Sequence, residues 1–145
     1  DAEIARRAKE NDVARQLMTI PGIGPLIATA IAVLAPPPET FRRGRDFAAW
    51  LGLVPRQHST GGKQRLGATT KMGERSLRRL LILGANSVII KRHVHAAARP
   101  GTWLARMLSR KPPMLVRVAL ANKMARIVWA LLAKGEDYRA PTAAA

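Results

Sequence analysis

The sequence contains no cysteine, which removes disulfides, thiolate metal sites and cysteine nucleophiles together. Aromatic residues are few, and the only tyrosine, Tyr138, sits beside Glu136 and Asp137 near the C-terminus. A tyrosine-nucleophile recombinase is therefore disfavoured. Acidic residues are outnumbered, nine Asp or Glu against 25 Lys or Arg. Between Leu51 and Lys134 the only acid is Glu74, against seventeen Lys or Arg. A two-metal nuclease needs several carboxylates converging on Mg²⁺. Asp46 and Glu74 are isolated here, so the chain is not expected to be a self-sufficient metal-dependent nuclease, and no metal ligand is assigned. No apolar run is long enough to span a bilayer and no signal peptide opens the chain, which points to the reducing cytoplasm and away from a membrane. The first residue is Asp1, not Met, so a piece of a longer protein is expected.

What is present is positive charge and enough apolar residues for a core. A chain of 145 residues, 48% hydrophobic, fits one domain or one domain plus an appended helix. Its net charge of +16 calls for a polyanionic partner. A surface built only for solubility intersperses the two signs. Nucleic acid is therefore the favoured partner, and an anionic membrane surface the weaker rival.

The fold class expected is all-α. Residues 1–18 hold no Gly or Pro and read as the end of a long helix whose partner lies upstream or on another chain. Thr19-Ile20-Pro21-Gly22-Ile23-Gly24-Pro25 then leads into the apolar run Leu26 to Leu34. Helix, Gly-hydrophobe-Gly turn, helix is the sequence form of a helix-hairpin-helix, placed at residues 19–35. Its turn amides, around Gly22 and Gly24, can hold a DNA phosphate. The alternative is an ordinary αα-hairpin. A short helix is expected from Arg45 to Leu51, burying Phe47 and Trp50. A long helix should run from Glu74 to about His95 on the stripe Leu77, Leu80, Leu81, Gly84, Val88 and Ile89. A shorter one should span Thr102 to Arg110. The last, from Pro112-Pro113 to about Lys134, is read with Leu115, Val118, Ala119, Ala125, Val128, Leu131 and Leu132 on its core face. Residues 19–135 thus form the helical domain, and residues 136–145 are expected to fray.

Residues 55–72 interrupt the helices as an irregular basic loop or a short β-ribbon. Within them Arg56-Gln57-His58-Ser59-Thr60-Gly61-Gly62-Lys63-Gln64-Arg65 puts two adjacent hydroxyls before a Gly-Gly pair, with cations on both sides. Gly61 and Gly62 let the backbone approach a ligand closely, and Arg56, Lys63 and Arg65 suit a phosphate. Ser59 and Thr60 are candidate nucleophiles, although a hydroxyl needs a base or charge stabilisation to react. The plain alternative is a basic loop that only touches phosphates. Lys71, Arg75, Arg78 and Arg79 extend the set of candidate phosphate contacts into the following helix. His93 and His95 are two apart on a helix and cannot chelate together. His58 is a conceivable general base for Ser59, disfavoured because adjacent side chains diverge on an extended backbone.

Five segments occur in a telling order: Ile20 to Pro25, Phe47 to Arg56, Ser59 to Lys63, Thr70 to Gly73, and Leu77 to Leu81. Together they resemble the C-terminal transposase domain of the insertion-sequence 110/116/902 family, with a match expected from Leu17 to Lys134. The resemblance implies a RuvC-like domain, outside this chain, whose four acids bind Mg²⁺. Residues 1–18 would then be the end of a coiled-coil linker. It also implies a serine in this domain that attacks DNA covalently, a bridge-type guide RNA that pairs with donor and target DNA, and assembly into dimers and tetramers. Many members carry Ser directly before the Gly, where Thr60 stands here; Ser59, one place earlier, is the nucleophile we expect, with Thr60 the alternative.

The leading expectation is the DNA-binding, nucleophile-bearing domain of a transposase acting by serine-mediated strand cleavage and exchange, inactive in isolation. The second is a non-catalytic helix-hairpin-helix nucleic-acid-binding module. A third is a helix-hairpin-helix repair enzyme, for which Asp46 is the one unsupported acid.

Overall fold

Proline, glycine and small polar residues set most of the element boundaries. The computed structural model of the chain describes residues 2–53, 71–92 and 98–139. Among them every regular element is helical: α1 (Ala2–Glu10), α2 (Asp12–Leu17), α3 (Pro25–Leu34), a 3₁₀ turn (Pro38–Thr40), α4 (Gly44–Trp50), α5 (Lys71–Ile90), α6 (Trp103–Arg110) and α7 (Pro113–Lys134). Pro25 and Pro113 occupy first-turn positions, where a missing N–H costs nothing. Thr102 caps α6 by accepting the Ala105 N–H at 3.2 Å. Gly135, at φ +67°, stops α7 in the left-handed conformation.

α5 and α7 pack on each other at the centre, with α4 and α6 also against α7 and α3 against α5. Phe47, Leu51, Leu77, Leu81, Met124 and Val128 are among the fully buried side chains of one continuous core. Phe41, Phe47 and Trp50 form an aromatic cluster with centroids 5.4 to 6.0 Å apart. Phe47 and Trp50 are thus core residues, as their spacing suggests. Two side-chain hydrogen bonds tie α7 to this side: Trp129 Nε1 donates to the Pro38 carbonyl at 3.0 Å, and Asn122 Nδ2 to the Leu53 carbonyl at 3.2 Å.

Four expectations are corrected. The helix expected over residues 1–18 is two, because Asn11 accepts the Ala14 N–H at 3.0 Å and caps α2. These helices lie on α3 of the same chain, through the small buried residues Ala8 and Ala14 and through Leu17. Lys71 and Met72, assigned to the loop, begin α5, which ends at Ile90, short of His95. On α7 the expected stripe is out of phase over its first half: Leu115 is 60% exposed and Val118 43%, while Val116, Leu120, Ala121 and Met124 are buried. The helix is apolar nearly all round, so its sequence carries little phase, and the neighbours on both sides choose the buried face. Of the segment expected to fray, residues 136–139 are described, and two hydrogen bonds hold its start to the α2–α3 turn region. Gln16 Nε2 donates to the Gly135 carbonyl and the Tyr138 N–H to Thr19 Oγ1, each at 2.8 Å. Tyr138 is consequently half-buried.

Candidate nucleic-acid interface

α2 and α3 pack on each other, and the turn that joins them rests on α5. Ile20 and Ile23 are buried, and Gly22 has φ +91°, a conformation that disfavours any side chain. A Cβ on Gly22 would stand 2.7 Å from the Gly84 carbonyl oxygen, and one on Gly84 would stand 2.6 Å from the Gly22 carbonyl oxygen. The hairpin backbone therefore rests directly on the backbone of α5. Gly84 was legible in the sequence as part of the buried stripe, but not as this contact; a glycine inside an apolar helix was the available signal. Gly24 differs. It is exposed, stands at the N-cap of α3, and has open space where a Cβ would go. The first-turn amides of α3 have no partner within the helix.

Arg75, Arg78 and Arg79 are all exposed near the start of α5 and line one shallow depression with Ile82 and Leu83. Spacings of three and four residues put them on one face. Among the described residues none of the three makes an ion pair. Arg78 packs over the turn that ends α4, its Nη1 3.0 Å from where a Cβ on Gly52 would lie. A guanidinium there also meets the negative end of that helix. The cluster thus stands beside Leu53, from which the chain enters the basic segment, and just after Lys71, where it returns. Arg56, Ser59, Thr60, Gly61, Gly62, Lys63 and Arg65 lie outside the described residues, as do His58, His93 and His95, and the side chain of Lys71 is likewise not described.

Lys123 on α7 had no place in the sequence reading. Its ammonium lies 4.3 Å from the centre of the Trp103 ring, a cation–π contact between α7 and α6. Its pKa is lowered from 10.5 by burial first, then by the charges of Arg126 and Arg106. The Tyr138 phenol nearby is pushed above 10.0 by burial. With Ile20, Pro21 and Val88 these side chains surround a small apolar cavity of about 60 Å³ under the hairpin. Among the described residues no group of three acidic or histidine side chains could hold a metal ion, and no helix is long and apolar enough to cross a membrane.

Comparison with known proteins follows the same lines. Residues 14–99 match the family described as Transposase IS116/IS110/IS902. A putative transposase of Sinorhizobium fredii (y4pF/y4sB) is 43% identical over 139 residues, 96% of this chain and 36% of its own length. A probable family 20 transposase of Pseudomonas aeruginosa is 53% identical over 125 residues, 86% of this chain and 37% of its own. The transposase for insertion sequence element IS1328 of Yersinia enterocolitica is 38% identical over 138 residues, 95% of this chain and 41% of its own. The chain spans about two-fifths of the length of the curated relatives it matches.

Proposed function

Because this chain belongs to the IS116/IS110/IS902 transposase family, we propose that it is the DNA-binding, nucleophile-bearing part of a longer transposase that cuts and exchanges strands through a serine. The observation that supports this most is the arginine cluster on α5, which makes no ion pair among the described residues and lies close after Lys71, where the described helices resume. In the step proposed, Ser59 Oγ gives up its proton and bonds to a backbone phosphorus. The P–O bond to one deoxyribose then breaks, and that oxygen takes up a proton. The energy of the broken ester is kept in the phosphoserine bond, ready for a second strand end to reverse the attack. Arg75, Arg78 and Arg79, with Lys63 and Arg65, would neutralise the charge growing on the phosphoryl oxygens.

A Mg²⁺ does not fit the described residues, which offer no converging carboxylates. The acids and the base for Ser59 belong, in this reading, to the portion outside this chain, and the isolated chain neither cleaves nor joins DNA. A bridge-type guide RNA and homo-oligomeric assembly complete the proposal for the full-length protein, which would act on chromosomal DNA in the cytoplasm.

Ser59→Ala in the full-length protein tests it. Recombination is expected to disappear with folding and DNA binding nearly unchanged, because a polar glycine-rich segment leaves no core cavity when one oxygen is removed. A protein–DNA adduct trapped on a nicked substrate and mapped by mass spectrometry identifies the attacking residue. An adduct on Thr60 would transfer the role there. Full activity of the Ser59→Ala, Thr60→Ala double variant would leave only the non-catalytic binding module.

A further inference from the structure

Gly44 opens α4 directly against α7. A Cβ on it would stand 3.0 Å from the Arg126 carbonyl oxygen and 3.2 Å from the Arg126 Cα. That is tighter than an ordinary Cβ contact, so a side chain there would push the two backbones a few tenths of an ångström apart. The run Arg42-Arg43-Gly44-Arg45, its three arginines exposed, is thereby set beside the exposed Arg126 of another helix. Arg126 and Arg106 of α6 are also close enough to Lys123 to lower its pKa. Cations from three elements thus lie near one another around Arg126.

Two carboxylates, Glu39 and Asp46, border the same depression as Arg42 and Arg43, fewer than the cations around Arg126. Asp46 is occupied at the start of α4, accepting the Arg43 backbone N–H at 3.2 Å and standing 3.9 Å from its guanidinium. Glu39 is exposed nearby, and Glu136 and Asp137 border a depression shared with Lys123. Among the described residues none of these three forms an ion pair. Like charges held together by packing oppose the compact state until a polyanion neutralises them. The surface is also separate from the first. Arg78 packs at the C-terminal end of α4 on Gly52, whereas Arg126 packs at its N-terminal end on Gly44.

We propose that Arg42, Arg43, Arg45 and Arg126, flanked by Lys123 and Arg106, form a second phosphate-binding surface. It holds a nucleic-acid backbone segment distinct from the one gripped by Arg75, Arg78 and Arg79. The surface follows from charge and geometry, and rests on the reading above only in taking the bound polyanion to be nucleic acid.

The test is fluorescence anisotropy of the 145-residue chain with a short labelled DNA duplex and, separately, a labelled RNA hairpin, each over a salt series. R42Q/R43Q/R45Q is expected to weaken binding at least tenfold and to flatten the plot of log affinity against log salt by about 2 to 3, at roughly 0.9 per lost contact on duplex. R75Q/R78Q/R79Q should do the same independently. Combining the two triples should multiply their fold-losses, as expected for separate surfaces. The matching Arg→Lys triple keeps the charge and should keep the slope. Should the first triple unfold, Arg126→Gln carries the test, with a slope change of about 1. Loss confined to the DNA or the RNA probe identifies which backbone the surface holds. Unchanged slope and affinity in the folded Arg42 triple overturn this inference alone, and leave the surface to a protein partner. Failure of the unaltered chain to bind either probe overturns both this inference and the proposed function.

Discussion

α5 and α7 are the two longest helices described and pack against each other, yet they are built differently. α5 alternates a narrow buried stripe with arginines, so one face serves the core and another is free to meet a ligand. α7 lies under both α4 and α6, and its sequence is apolar around most of its circumference. Two of its four cations meet those neighbours: Arg126 lies against Gly44 of α4 and Lys123 over Trp103 of α6. A helix covered on one side announces its orientation, whereas a helix covered on several sides is oriented by what covers it.

The comparison breaks first on a pair of leucines. Leu81→Ala in α5 removes a side chain with no exposure and is expected to cost about 2–5 kcal/mol. Leu115→Ala in α7, although the sequence assigns it to the core, should stay within about 0.5 kcal/mol. Urea denaturation of both variants reads the difference directly, and equal losses would restore the original phase of α7.

A smaller effect tests how α5 carries the hairpin. Gly84→Ala should gain about 1 kcal/mol of helix propensity. Its new Cβ, however, would meet the Gly22 carbonyl at 2.6 Å. Backbone on both sides cannot yield easily, so overpacking of about 1–3 kcal/mol should win and give a net loss. Gly24→Ala, which meets nothing, should lose only the better N-cap, about 0.5–1 kcal/mol. A stabilised Gly84→Ala variant would show that the hairpin is not held by this contact.

The smallest effect concerns the charge on α7. Lys123 binds its proton less tightly in the folded chain than its ordinary 10.5. The unfolded state therefore binds more protons between the lowered value and 10.5, and stability should rise with pH across that interval. Tyr138 works oppositely, since its raised pKa lets the unfolded state ionise first above 10.0. Thermal melts of Lys123→Met just below pH 10.0 should show a flatter pH dependence than the unaltered chain. An unchanged slope would place the source of the pH dependence elsewhere.

Much of this was legible because it depends on neighbours in sequence. Pro25, Thr102, Pro113 and Gly135 mark helix ends through local backbone chemistry. The face of α5 follows from spacing alone. The arginine cluster was legible too, since cations three and four apart on an amphipathic helix have one outward direction. The candidate nucleophiles rest on motif and chemistry only, because Ser59 and Thr60 lie outside the described residues.

The helical class, the excess of positive charge, several helix ends and the family could be read without the fold, because composition, capping and ordered motifs need no long-range contact. Packing selected the buried face of α7, set the Gly22 and Gly84 backbones in contact and brought Tyr138 back to Thr19. It alone brought Arg42, Arg43 and Arg45 beside Arg126. Those outcomes depend on residues tens of positions apart meeting in a packed interior, and hydrophobic periodicity says that a face is buried without saying against what.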